Sequence, residues 1–286
     1  MLLSAAQKSS FVVLISFLLI VPVPLTASDL TPDDVVAKHL QSLGSAQARA
    51  SIKSRVVEGT ATYKVLAGGA GQLPGKAVFA SEGRKSHLLL KVTAPQYNGE
   101  QLICDGERTN VAATGSNKTY SDFGDFIKGQ DAPLREGLLG GVLTTAWPLL
   151  ELENRKAKLS DEGLKNVDGH QLKVVRYRPK KSTDLKILLY FDPETFRHVL
   201  TTYQVSIQSG IGATEVDSAR QQETRYRIEE RFSDFQNLDG LTLPFHYELR
   251  FTNELQNGFT KLLEWDATVT RVLNNVSLDP RNFQIK

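Results

Sequence analysis

The sequence holds a single cysteine, Cys104, and a single methionine, the initiator Met1. One cysteine excludes an intramolecular disulfide and leaves no cluster for a structural zinc or an iron-sulfur centre. None lies near the N-terminus, so no N-acylated lipoprotein is expected. Charge of one sign is also lacking in excess: 34 basic residues stand against 32 acidic ones, a net of +2. Near neutrality disfavours a dedicated nucleic-acid binder, whose phosphate contacts need a basic excess on one face. With 41% hydrophobic residues, the 286-residue chain is neither collagen, long coiled coil nor disordered. Its stability must come from packing and sheet hydrogen bonds, which demands an extensive apolar interior.

Signatures of catalysis are missing as well. His39, His87, His170, His198 and His246 show neither HxH nor HExxH spacing, so each reads as an isolated surface or structural side chain. There is no G-x-S-x-G elbow, and Cys104, among apolar neighbours, reads as a buried, inert thiol. Gly68, Gly69, Gly71 and Gly75 lead through Pro74 into a strand instead of opening a helix, so they read as a flexible hairpin loop and not a phosphate cradle. The acidic pairs Asp33-Asp34, Asp161-Glu162 and Glu229-Glu230 read as a helix start, a turn and a solvated strand. Arg176, Arg178, Lys180, Lys181 and Lys186 straddle a hairpin tip and read as a solvated turn. No enzyme, metal or cofactor is expected.

What is present begins with residues 1–28, which have the form of a Sec signal peptide. Lys8 supplies a positive n-region, an apolar run follows over 11–25, and Thr26-Ala27-Ser28 are small enough for signal peptidase. The run, interrupted by Pro22 and Pro24, falls short of the roughly 20 residues needed to span a bilayer. Residues 29–286 read as a single exported domain. Thr31 as N-cap, Pro32 at N1 and the stripe Val35, Val36, His39, Leu40 and Leu43 predict a helix ended by Gly44, with another turn over 46–50.

From Ile52 the hydrophobic period falls to two. Strands are predicted at 51–65, 76–82, 85–93, 100–104, 108–112, 157–166, 170–178, 184–191, 198–207, 223–235, 241–251 and 259–273. Asp105-Gly106, Asp168-Gly169 and Asp239-Gly240 mark hairpins, and 209–221 a polar, mobile loop. Only 134–152 breaks the pattern: Leu138, Leu139, Val142, Leu143 and Trp147 recur at helical spacing, with Gly137, Gly140 and Gly141 loosening the helix and Pro148 kinking it. The fold class is mainly β with a few helices (α+β), a curved antiparallel sheet of about eleven or twelve strands. A sheet of that size leaves spare volume unless the helices plug it. Leu88, Leu90, Phe191, Phe232, Phe245, Tyr247 and Trp265 on strands, with Leu138, Leu139, Leu143 and Trp147 on the central segment, are therefore the candidate lining of an apolar cavity. For each of them taken singly, plain core packing is the favoured reading.

The order of parts resembles the LolA/LolB-like family of periplasmic lipoprotein carriers, in particular the outer-membrane lipoprotein-sorting group. The resemblance is carried by Lys91-Val92-Thr93-Ala94-Pro95, Gln101-Leu102-Ile103-Cys104-Asp105-Gly106, Leu189-Tyr190-Phe191-Asp192-Pro193-Glu194-Thr195, Phe232-Ser233-Asp234-Phe235, Asp239-Gly240-Leu241-Thr242-Leu243-Pro244 and Leu278-Asp279-Pro280-Arg281-Asn282-Phe283. It implies an unclosed antiparallel β-barrel with an N-terminal helix and a central helical lid on its concave face. It further implies a monomeric, non-catalytic periplasmic carrier. The implied partners are lipid or lipoprotein acyl chains and transfer proteins of the inner or outer membrane, and no nucleic acid. Related folds also occur in regulators of envelope stress signalling, so a sensor or regulatory module is the alternative.

Overall fold

The computed structural model describes residues 30–94, 97–115, 120–208 and 223–285; the expected signal peptide and the expected loop at 209–221 lie outside the described residues. The first helix, α1 (Pro32–Leu43), starts as the sequence predicts. The Thr31 hydroxyl accepts from the Asp34 amide at 3.2 Å and Asp34 Oδ2 accepts from the Thr31 amide at 3.1 Å, a reciprocal cap that satisfies two donors with no helical partner. Val35, Val36, His39 and Leu43 form its buried stripe, and a short helix, α2 (Ala46–Ser51), follows.

Period-two patterning then builds two meanders. The first runs β1 (Ser54–Ala67), β2 (Gly71–Glu82), β3 (Lys85–Val92), β4 (Gly99–Cys104) and β5 (Thr109–Ala113). The second runs β6 (Lys158–Val167), β7 (His170–Arg178), β8 (Lys186–Phe191), β9 (His198–Ile207), β10 (Thr224–Leu238), β11 (Leu241–Glu254) and β12 (Thr260–Asn274). Pairing of β1 with β12 sews them into one twelve-stranded antiparallel sheet, ordered β5-β4-β3-β2-β1-β12-β11-β10-β9-β8-β7-β6. β5 and β6 are its two edges and do not pair with each other, so the barrel is unclosed. Asp168-Gly169 and Asp239-Gly240 have φ of 51° and 86°, and 52° and 74°, the left-handed pairs that tight two-residue hairpins require.

The glycine-rich loop is shorter than expected, because Gly71 through Gly75 belong to β2 and pair with β1. Gly75 is there for close approach: a Cβ would lie 2.5 Å from the Lys91 carbonyl and 3.3 Å from the Trp265 ring. Inward-facing Val57, Phe79, Leu90, Ile228, Phe251 and Leu263 share one core, while Leu172, Val174, Leu188, Tyr190 and Leu200 make a small cluster on the other face.

Between β5 and β6 the chain crosses the concave face. This stretch holds α3 (Asp122–Gly129), a helix the sequence pattern did not reveal, then single turns α4 (Ala132–Arg135) and α5 (Leu152–Arg155) with 3-10 turns at Gly141–Leu143 and Pro148–Glu151. The expected continuous helix over 134–152 is thus replaced by a turn-rich strap. Gly137, Gly140 and Gly141 take φ of 73°, 80° and 49°, which a continuous right-handed α-helix does not accommodate.

Candidate functional site

The strap, residues 132–155, is the part of the chain that decides how much of the barrel is filled. Its glycines do not loosen it, as expected from propensity; they permit contact. A Cβ on Gly137 would lie 2.3 Å from the Ala146 carbonyl, and one on Gly140 2.7 Å from the Phe79 ring. Leu138, Leu143 and Trp147 are completely buried, and Leu139 and Val142 nearly so.

Polar side chains of the sheet hold the strap's backbone. Glu230 on β10 accepts the Gly140 amide at 2.7 Å, Arg55 on β1 donates to the Val142 carbonyl at 2.8 Å, and Ser81 on β2 accepts the Thr145 amide at 2.9 Å. Tyr177 on β7 donates to Glu136 at 3.0 Å, and the Trp147 indole donates to His39 Nε2 at 3.1 Å. Each bond satisfies a buried group that would otherwise cost about 1–3 kcal/mol to leave unpaired.

Glu230 is not on a solvated strand position, contrary to the sequence reading. It shares the inward parity of Ile228 and Phe232, is wholly buried, and also accepts from Tyr203 at 2.7 Å and Tyr247 at 2.8 Å. Burial pushes its carboxyl up to about 7, outweighing three hydrogen bonds that favour the ionised form. Glu100 on β4 is a second inward carboxylate. It accepts from the Ser121 hydroxyl at 2.6 Å and from Tyr97 at 3.1 Å, fixing the residue that caps α3, and burial likewise raises it to about 7.

Two of the five histidines meet under the strap. The His39 ring packs on Phe191 and His198, and His198 stacks at 4.7 Å from Trp147. His39 Nδ1 faces the Phe196 carbonyl at 3.1 Å, so that nitrogen carries the proton and Nε2 is left to accept from Trp147. Burial lowers His39 to about 4; burial first, then the neighbouring His39, puts His198 well below its ordinary value. Both are therefore neutral, structural rings. Cys104 is buried and its thiol is pushed up by burial, as an inert side chain would be. Among the described residues, no three His, Cys, Asp or Glu side chains are placed to hold a metal ion.

Beside the strap, where α1 and α2 lean over β1 and the start of β11, lies a cavity of about 350 Å³. That is within the range of small-molecule sites, roughly 300–1,000 Å³. Leu40, Leu43, Ile52, Leu150, Leu241 and Leu243 give it apolar walls, and Arg49, Lys53, Arg55 and Glu151 also border it. Trp147 is the one sequence-derived lining candidate that reaches it. Leu88 and Leu90 on β3, Phe191 on β8, Phe232 on β10, Tyr247 on β11, Trp265 on β12 and Leu138, Leu139 and Leu143 on the strap lie together in the main core, with half-buried Phe245 packed against it. Leu40, Leu43, Leu241 and Leu243 were legible as apolar positions but not as cavity walls. Arg55 is legible from strand parity: it sits at an inward position of β1, two residues before buried Val57.

Fold and site together define an unclosed antiparallel β-barrel whose concave face is crossed by a packed strap, with an apolar cavity left between strap and N-terminal helices. No family model matches the sequence, and no curated protein does. Among solved structures, the chain is similar to a LolA superfamily protein from Nitrosomonas europaea, with 14% identity over 90% of this chain and 98% of that one and a TM-score of 0.46. It is also similar to an outer membrane lipoprotein-sorting protein domain from Vibrio parahaemolyticus, with 14% identity, 87% and 97% coverage and a TM-score of 0.42. The complex of MucA with MucB from Pseudomonas aeruginosa is more distant, with 11% identity, 85% and 100% coverage and a TM-score of 0.22. The sheet order and register stand on the chain's own strand pairing, independently of these likenesses.

Proposed function

We propose that the protein is an exported, non-catalytic carrier that shields a lipid or acylated ligand, a lipoprotein acyl chain among the candidates, from water. The observation that carries this reading is the cavity walled by Leu40, Leu43, Ile52, Leu150, Leu241 and Leu243. Each exposed methylene costs about 0.8 kcal/mol, so a 16-carbon chain carries on the order of 13 kcal/mol of hydrophobic penalty in water. A cavity of about 350 Å³ offsets part of that penalty without chemistry, by covering part of such a chain. Trp147 borders the cavity in this reading, and the ten other candidate lining residues belong to the main core or pack against it. The signal-peptide pattern of residues 1–28 supports export, and the periplasm is the compartment proposed; no helix among the described residues is long and apolar enough to cross a membrane.

The test is titration with a fluorescent fatty acid. Saturable binding at one site, lost in Leu150→Glu, is the expected result, since Leu150 is 37% exposed and tolerates a charge without unfolding the core. Absence of saturable binding in the wild-type protein would overturn the carrier, and a protein that stays empty while capturing a membrane partner would indicate the sensor or regulatory module instead.

A further inference from the structure

The polar groups around the cavity are unbalanced. Three of its four charged side chains are cations: Arg49, Lys53 and Arg55 against Glu151. Glu151 is already engaged, by Arg84 at 3.2 Å. Among the described residues, none of the three cations has a carboxylate within ion-pair distance. Lys64 and Arg250 differ: Lys64 lies 2.8 Å from Glu264 and 2.9 Å from Asp266, and Arg250 lies 2.7 Å from Glu264.

Arg55 is the most telling of the three. Only 4% of it is exposed, yet its two hydrogen bonds go to neutral oxygens, Nε to Asn274 Oδ1 at 2.8 Å and Nη1 to the Val142 carbonyl at 2.8 Å. Asp239 acts on it only across Asn274, whose amide donates to Asp239 at 3.0 Å. Burial lowers its guanidinium to about 10, which leaves it charged at neutral pH. Arg49 Nη1, too, donates to carbonyls, those of Leu40 and Gly44. A buried charge whose nearest counter-charge stands one side chain away gains from an anion that bonds it directly.

We propose that the cavity takes a single-chain amphiphile with an anionic head group, a carboxylate or a phosphate, whose acidic oxygens meet Lys53, Arg49 and Arg55 while its hydrocarbon chain lies against Leu40, Ile52 and Leu243. This rests on the carrier reading and sharpens it. The division of labour is physical: burial of methylenes supplies affinity, and charge-assisted hydrogen bonds at the cation-lined side of the cavity supply selection of the head. A neutral head would leave the cations as they are and gain only the first of these.

Affinities of laurate, dodecyl phosphate and 1-lauroylglycerol, each below its micelle threshold, test the inference on the wild-type protein and on Lys53→Gln. Lys53 is exposed and no other described side chain pairs with it, so its replacement leaves the fold intact. Arg49→Gln, checked for unchanged helix content, is the second variant. Both anionic ligands, or whichever of carboxylate and phosphate is the better fit, should bind about tenfold more tightly than the neutral ester, the yield of one charge-assisted hydrogen bond. Lys53→Gln should remove most of that preference and leave 1-lauroylglycerol unchanged. Equal binding of neutral and anionic ligands, or a preference untouched by both variants, overturns the head-group inference while the carrier stands. Failure of all three ligands to bind overturns both.

Discussion

Charged residues at inward positions of an alternating strand explain more of this molecule than any other single feature. Arg55, Glu100 and Glu230 each break the apolar pattern of their strand, and each holds an inserted segment in place: Val142 of the strap, Ser121 at the start of α3, and Gly140 of the strap. The parity rule that put Ile228 and Phe232 inside puts Glu230 there too, so its burial was legible from the sequence once alternation is followed through the acidic pair. Its contribution to stability has a definite sign. A carboxyl held at about 7 in the fold and near 4.5 in the unfolded chain keeps its proton longer in the fold, so stability falls as pH rises from 4.5 to 7 and is constant above. The size is about 3 kcal/mol. Glu230→Gln lacks this slope. Urea denaturation at pH values spanning the window should therefore show the variant gaining on the wild-type protein with rising pH. His39 has the opposite slope, losing stability as pH falls from 6.5 towards 4, but it is common to both proteins and cancels in the difference. Parallel stability curves would contradict the assignment.

At the scale of elements, the strands were legible and the strap was not, for different physical reasons. A strand's pattern is local: Leu241, Leu243, Tyr247, Leu249 and Phe251 alternate because one face of β11 is buried. The strap's leucines also have helical spacing, but Gly137, Gly140 and Gly141 in left-handed backbone turn that spacing into a series of tight turns, and what selects those turns is the Phe79 ring, the Ala146 carbonyl and Phe232 pressing on them. Phe79 and Phe232 are far away in sequence, and Ala146 meets Gly137 only once the strap has turned back on itself. The consequence is measurable by comparing two glycines of nearly equal φ. Gly163, at 75°, has open space where a Cβ would go, so Gly163→Ala should cost about 1 kcal/mol from backbone conformation alone. Gly137, at 73°, has the Ala146 carbonyl 2.3 Å from that point, so Gly137→Ala should cost about 3 kcal/mol or more. Equal costs in chemical denaturation would mean that the strap yields easily, and the packed description would be wrong.

On the scale of the whole molecule, the sheet joins the ends of the chain, β1 to β12, and leaves β5 and β6 as free edges. Strand number and antiparallel hairpins could be read from the repeating two-residue period and the Asp-Gly turns. The cavity could not, because it is a gap between α1, α2 and the strap that no local pattern encodes; Leu40 and Leu243 face it as ordinary members of two apolar stripes. Barrel, strap and cavity together fit the proposed container: the described residues nearly fill it and leave a small apolar space. The most direct test is native mass spectrometry of protein purified without detergent from its own host. An added mass of an acyl-chain compound on the wild-type protein, absent from Leu150→Glu, is the predicted result. Wild-type protein that is uniformly empty, or a bound mass that survives the substitution, would contradict it.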